Sequence, residues 1–427
     1  MSLGTAGSAV AQSSGGGTSG GPTKATEIGV TASTIRIAVI ADVNTPLAPG
    51  LFKGSADAVQ AFAGYINKKG GIAGRKLQVD FIDSKLNADE ARNALIQACQ
   101  NDFATVGTTA LFMNNVDDAV NCKDITGKAT GLPDIPELTT EPAQQNSPVS
   151  FPIIAPERDF KNTTQEVYHA RRGQILYFQK HFKNLHGVFL VPVDLTATKT
   201  ASEPGNHAIV ASGVKDDAEF GVHGMDTQTA YLPVATAIKS ANATYVRNGS
   251  NDVSESNMRI VAQQQGVSSV KVWDCSLACY DSTFLKLGGS AVEGQYAETF
   301  FVPLEEAKAV PVEQAYVNAV GGLANASGFG AQAWIAALFF QAVVQKIVAT
   351  SGNNGVTRAA FFQAAATFHN FTASGMTGPT DIGGKNPSGC FDLLQVKNNK
   401  WTRVYPSKVA TFDCNPANLA TVSFHAQ

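Results

Sequence analysis

Six cysteines are the residues whose type and spacing speak first to chemistry. They fall along the chain as three neighbouring pairs, Cys99 with Cys122, Cys275 with Cys279, and Cys390 with Cys414. No CxxC motif occurs and no cysteine cluster stands beside histidines at zinc-ligand spacing, so no metal site is expected. Six cysteines allow fifteen pairings, and spacing alone does not choose among them. The sequential pairing suits the predicted elements: Cys99 and Cys122 sit on consecutive predicted helices, and Cys390 and Cys414 bracket a predicted hairpin. Disulfides place a protein outside the reducing cytoplasm, whereas six buried free thiols would be the cytosolic alternative.

The other reactive side chains form no catalytic constellation. There is no G-x-S-x-G elbow, no H-E-x-x-H, no Walker loop and no G-x-G-x-x-G after the first strand. The seven histidines are scattered, and His181 and His186 are five apart, which is wrong for one helical face. An enzyme is therefore not expected, and no cofactor is implied.

Composition sets the frame for those residues. With 427 residues, 44% hydrophobic and 16% charged, the chain fills two cores rather than one. A formal net charge of −3 argues against a nucleic-acid partner, and Lys68-Lys69 and Arg171-Arg172 read as solvated pairs. The most apolar run, Trp334 to Val344, is broken by Gln341. It falls short of the ~18 residues of a membrane span and reads as a buried helix. Residues 4–26, GTAGSAVAQSSGGGTSGGPTKAT, carry too little apolar content to fold and read as a flexible tether, taken as 1–29. No basic segment leads into an apolar one there, so the pattern of an intact signal peptide is absent.

From residue 34 the pattern alternates strands and helices. Thr34 to Ile40 is a β-branched strand, and Ala58, Phe62, Tyr65 and Ile66 mark one face of a helix that stops at Gly70-Gly71. Lys76 to Asp83 is the next strand, followed by a helix over 88–101 and a short strand ending at Val106. A second series runs from Leu185–Val193 through a helix near 229–241, a strand near Tyr245-Val246, a helix over 253–265 and the strand Val270–Trp273. An apolar helix over 331–350 and a β-rich end follow, with Asn398-Asn399 as a turn. Alternation of this kind gives mainly parallel sheets with helices on both faces, and ligands bind beyond the carboxyl ends of the strands. The loops 42–52, 108–114 and 139–145 are then the candidate binding loops of the first half.

The run Tyr65-Ile66-Asn67-Lys68-Lys69-Gly70-Gly71-Ile72-Ala73-Gly74-Arg75-Lys76-Leu77 resembles the type I periplasmic binding proteins of the leucine/isoleucine/valine-binding kind, the solute receptors of ABC importers. Asp83 with Ala88 and Ala91, then Gly378-Pro379 with Asp381, Gly389-Cys390-Phe391 and Val396 to Trp401, are similar to further parts of that family. The resemblance implies an α/β fold of two Rossmann-like lobes with a hinge of three crossing strands, near 151–154, 299–302 and 387–390. Lobe one would hold 30–152 and 302–387, and lobe two 153–300 and 390–427.

It also implies a ligand set. Thr139 and Thr140 stand in the family's second carboxylate-binding loop and Thr108, Thr109 and Ala110 in the preceding one, where Leu111 replaces a usual serine. That replacement turns the expectation from a standard amino acid toward a less polar or aromatic carboxylate. Glu157 or Asp159 stands near the family's acidic position. Asp194, Leu195, Asp274, Ser276 and Tyr280 lie on strand-end loops of lobe two, and Phe52, with Leu51 and Phe112, adds apolar wall. The implied protein is an extracytoplasmic, lipid-anchored monomer that captures a small molecule and hands it to a membrane permease. A ligand-sensing receptor and an α/β enzyme acting on a small carboxylate are the alternatives.

Overall fold

A computed structural model describes residues 22–45 and 49–425. Lobe one is built on a four-stranded parallel sheet of order β2-β1-β3-β4, from β1 (Thr34–Ala41), β2 (Lys76–Asp83), β3 (Ala104–Thr108) and β4 (Asp134–Pro136). Helices α1 (Lys53–Lys68), α2 (Ala88–Asn101), α3 (Asp117–Val120) and α4 (Pro142–Gln145) connect and follow these strands. Helix α2 starts where Asn87 accepts the backbone N–H of Asp89 and Glu90, with both acids in the first turn favouring the positive helix end.

Lobe two carries β5 (Val167–Arg171), α5 (Gly173–His181), β6 (His186–Pro192), α6 (Thr196–Ala211), β7 (Lys215–Val222), α7 (Leu232–Ala241), β8 (Tyr245–Asn248), α8 (Asp252–Gln264), β9 (Val272–Cys275), α9 (Ser282–Gly288) and β10 (Gln295–Thr299). The chain returns to lobe one through α10 (Pro311–Ala319), α11 (Gly328–Ser351) and α12 (Arg358–Ala365), then ends in lobe two with β11 (Asp392–Val396), β12 (Trp401–Tyr405) and β13 (Leu419–Ser423). The second sheet has order β12-β11-β10-β9-β8-β6-β7, parallel except where β11 and β12 join antiparallel. Asn398 and Asn399 both take positive φ at the turn between β11 and β12, which asparagine tolerates.

Several expectations shift in detail. The strand expected at 270–273 is found at Val272–Cys275, and Cys122 lies just past α3 rather than on it. Strands β5 and β13 pair with each other although far apart in sequence. Most of the expected tether, residues 1–21, lies outside the described residues. Residues 22–29 are docked: Arg75, 1% exposed, donates to the Lys24 and Asn353 carbonyls at 2.8 and 2.7 Å, and Glu27 is buried.

Three features tie the elements of lobe one together. Gly107 takes φ +71°, and a Cβ there would lie 2.7 Å from Val59 on α1 and 3.2 Å from Ala333 on α11, so both helices press directly on β3. Helix α11 is long and apolar enough to cross a membrane by length and composition, yet most of it is buried against α1 and the sheet. The Cys99–Cys122 disulfide closes the third feature; Cys275–Cys279 and Cys390–Cys414 also form, giving all three sequential pairings.

The chain passes between the two sheets after β4, after β10 and ahead of β11. Phe151 and Ile153 continue beside β4 through N–H bonds to Asp134 and Pro136, Val302 donates to Met376, and Phe391 pairs with Asp413.

Candidate functional site

The strand ends of lobe one are organised by one buried carboxylate. Asp42, fully buried after β1, accepts the Ser84 hydroxyl at 2.7 Å and the Leu86 N–H at 2.6 Å on Oδ1, and the Leu111 N–H at 2.8 Å on Oδ2. Burial pushes its carboxyl upward, and these donors offset part of that rise. The result is three loops fixed to one side chain, which presents Leu111 at the sheet end.

The threonines expected to hold a ligand carboxylate are largely engaged within lobe one. Thr108 donates to Asp134 at 2.7 Å, and Thr109 donates to Glu137 at 2.8 Å beside Ser55 at 2.7 Å. Both threonines are fully buried. Burial pushes the Glu137 carboxyl up to about 8, so at neutral pH it is mainly a neutral acid inside the lobe. Thr140 donates to the Leu111 carbonyl at 3.0 Å, which makes it a loop brace whose hydroxyl oxygen still has acceptor capacity. Thr139 is half-buried and its carbonyl accepts from Gln145, while Ala110 is buried.

The acidic side chains expected at the site, Glu157 or Asp159 for an ammonium and Asp194 and Asp274 on lobe-two loops, also have partners. Glu157 accepts the Arg171 guanidinium at 2.9 Å and the Arg171 N–H at 3.0 Å. Asp159 caps the turn at Lys161 with a 3.0 Å bond. Asp274, fully buried, accepts Tyr245 at 2.6 Å and Arg247 at 2.8 Å on one oxygen. Asp194 is exposed and holds the next loop through His223 at 2.9 Å and the Gly224 N–H at 2.6 Å. Ser276 caps the short turn after β9 through the Ala278 N–H. Tyr280 is an interlobe brace: its hydroxyl donates to Glu305 at 2.5 Å and accepts the Leu304 N–H at 2.8 Å.

What the fold does bring together between the lobes is apolar. Phe52 and Leu111 are buried with Ala41, and Leu51, Leu138 and Phe329 pack on them from lobe one. Leu195, from the start of α6 in lobe two, packs on the same cluster. Phe52 meets Phe329 edge to face with ring centroids 5.1 Å apart. Phe112 is half-buried and stands outside this cluster. The lobes touch again where Leu277 approaches Gly328, at which a Cβ would lie 2.9 Å from the leucine methyl.

Of the residues expected from the sequence, Phe52, Leu51, Leu111 and Leu195 come together in this cluster, while Leu138 and Phe329 within it, and Asp42 bonded to Leu111, were not among those expected. The available signal for Phe329 was its place in Ser327-Gly328-Phe329-Gly330, opening an apolar helix. For Asp42 it was an acid directly after a buried strand. Among the described residues no group of three or more His, Cys, Asp or Glu side chains has the geometry to hold a metal ion.

Comparison with known proteins adds the family. Residues 34–400 match the family model described as periplasmic binding protein. Among solved structures, the leucine-binding protein of Thermotoga maritima is similar with a TM-score of 0.65 at 16% identity, covering 87% of this chain and 97% of that one. The branched-chain amino acid transporter substrate-binding protein of Streptococcus pneumoniae, in complex with isoleucine, gives 0.66 at 16% identity, covering 88% and 100%. A fatty acid ABC transporter substrate-binding protein from Thermomonospora curvata gives 0.67 at 16% identity, covering 90% and 97%. At these identities the likeness is one of fold, the two-lobed type I arrangement. No curated protein matches the chain in sequence.

Proposed function

Because the chain belongs to the periplasmic binding protein family, we propose that it is an extracytoplasmic solute-binding protein that captures a small, mainly apolar solute between its lobes and presents it to the permease of an ABC importer. The observation that carries this reading is the cluster of Phe52, Leu111 and Phe329 from lobe one with Leu195 from lobe two. A solute held there is desolvated by both lobes, and closure of one lobe on the other is the event a transporter can sense. The commitment of Glu157 to Arg171 and of Asp274 to Arg247 and Tyr245 turns the reading away from a free α-amino acid, whose ammonium needs an available acid.

The solved relatives bracket this choice, one named for leucine and one for fatty acid. Within the bracket the apolar walls favour branched aliphatic, fatty or aromatic solutes over polar ones. Anchorage by a lipid at the N-terminal side and a monomeric state complete the proposal. Calorimetry of the purified chain against branched-chain and aromatic amino acids, short fatty acids and their derivatives is the test. One-site binding without turnover is expected, and formation of a product from any bound solute overturns the reading.

A further inference from the structure

At the hinge the crossing segments line a cavity of about 30 Å³ that is partly open to solvent. That is room for about two waters or one small polar head group. Its walls include Ile153, Phe301, Ile335 and Ile382, with Gln332 and Arg171 among the polar lining. Gln332 is 2% exposed, and neither its amide oxygen nor its amide nitrogen has a hydrogen-bond partner among the described residues. The Arg171 Nε–H is likewise buried and unpartnered there. Buried polar groups left in this way are costly unless something pairs with them.

Helix α11 joins this cavity to the cleft. It carries Phe329 in the apolar cluster and, three residues on, Gln332 in the cavity wall, and residues so spaced are neighbours on a helix surface. The charge of the wall restricts what fits. Arg171 is matched by Glu157 at 2.9 Å, and the other charged lining residue, Asp381, is an acid held by His369 at 2.7 Å and the Gly384 N–H at 2.8 Å. No surplus positive charge faces the cavity, so an anionic head is disfavoured. The Gln332 amide presents a donor and an acceptor side by side. Its complement is an acceptor and a donor side by side, with the Arg171 Nε–H as a second donor to the same acceptor.

We propose that this hinge cavity receives an uncharged carboxamide head of the solute, paired by Gln332 and Arg171, while the apolar body lies against Phe329, Phe52 and Leu195. The inference rests on the solute-binding reading and adds the class of head group to it.

The test is calorimetry on the full chain at neutral pH with a matched pair, 4-methylpentanamide and 4-methylpentanoate. The wild type is expected to bind the amide about 10-fold tighter than the acid or better. Gln332→Leu, similar in volume and apolar, is expected to erase that preference and to raise the melting temperature of the unliganded protein, because a buried unpaired amide is gone. Gln332→Met gives the same comparison should the leucine variant not fold. Equal or tighter binding of the acid overturns the head-group assignment and leaves the solute-binding reading standing. An amide preference that survives in the variants means that the cavity holds ordered water only, and it too overturns the assignment. Binding of neither compound, nor of any other solute in the wider panel, overturns both.

Discussion

The Asp42 carboxylate accepts the backbone N–H of Leu111 at 2.8 Å, and through that bond the end of β1 dictates where the apolar side chain after β3 stands. The same carboxylate holds Ser84 and Leu86, so one buried group sets the geometry of three loops at the cleft. Removing it leaves three donors without their acceptor. Asp42→Ala is expected to cost about 3 kcal/mol of stability in urea titrations, because each buried unpaired donor carries its own desolvation penalty. A loss near zero would mean that the loops hold themselves.

Leu195 allows binding to be separated from folding. It occupies the N-cap position of α6 with no side-chain cap bond, and it is half-buried against the interlobe cluster. Aspartate is a good N-cap, so Leu195→Asp is expected to leave thermal stability unchanged or slightly higher. The same change puts a charge against Phe52 and Phe329, and solute affinity is expected to fall by at least about 2 kcal/mol. Calorimetry and a melting curve on one preparation check both halves.

Glu137 gives a pH signature. Burial holds its folded carboxyl up to about 8, against 4.5 for an ordinary glutamate. The folded protein therefore keeps a proton that the unfolded chain releases. The stability this contributes is fully present below about pH 4.5 and is lost as pH rises toward 8. Asp392, also near 8, and Glu298, near 7, push in the same direction. Glu137→Gln keeps an acceptor for Ser55 and Thr109 without the proton linkage. Urea midpoints from pH 5 to 8 are expected to decline less steeply in this variant than in wild type; identical slopes would remove Glu137 from the account.

The Cys99–Cys122 bridge spans a sequence separation of 23, and Arg358 sits on it, donating to Cys122 Sγ at 2.9 Å and to the Cys99 and Asp102 carbonyls at 3.0 and 2.6 Å. Loop closure of that size is worth about 3 kcal/mol. The double variant Cys99→Ala/Cys122→Ala is expected to lose about that much in urea unfolding. A thiol assay on denatured, unreduced wild type is expected to find no reactive cysteine, in keeping with the three bridges.

The sequence by itself determined the features that are written locally. The periodicity around Ala58, Phe62 and Ile66 marks α1, the β-branched run at 34–40 marks β1, and the Gly70-Gly71 stop with the run to Leu77 carries the family resemblance. The cysteines do pair in chain order, at sequence separations of 23, 4 and 24, although spacing alone left the pairing open. Tertiary structure alone decided which side chains have partners. Thr108 and Thr109 look like ligand groups in sequence, but Asp134 and Glu137 from the next strand end use their hydroxyls. Asp274 looks free until Arg247 and Tyr245 on the neighbouring strand reach it. Leu195 and Phe329 are more than a hundred residues apart, and only the closing of the two lobes makes them one surface. Local pattern reports the period of a helix or strand. Whether a polar group is satisfied, or an apolar one shared between lobes, depends on what long-range packing brings within a few ångströms.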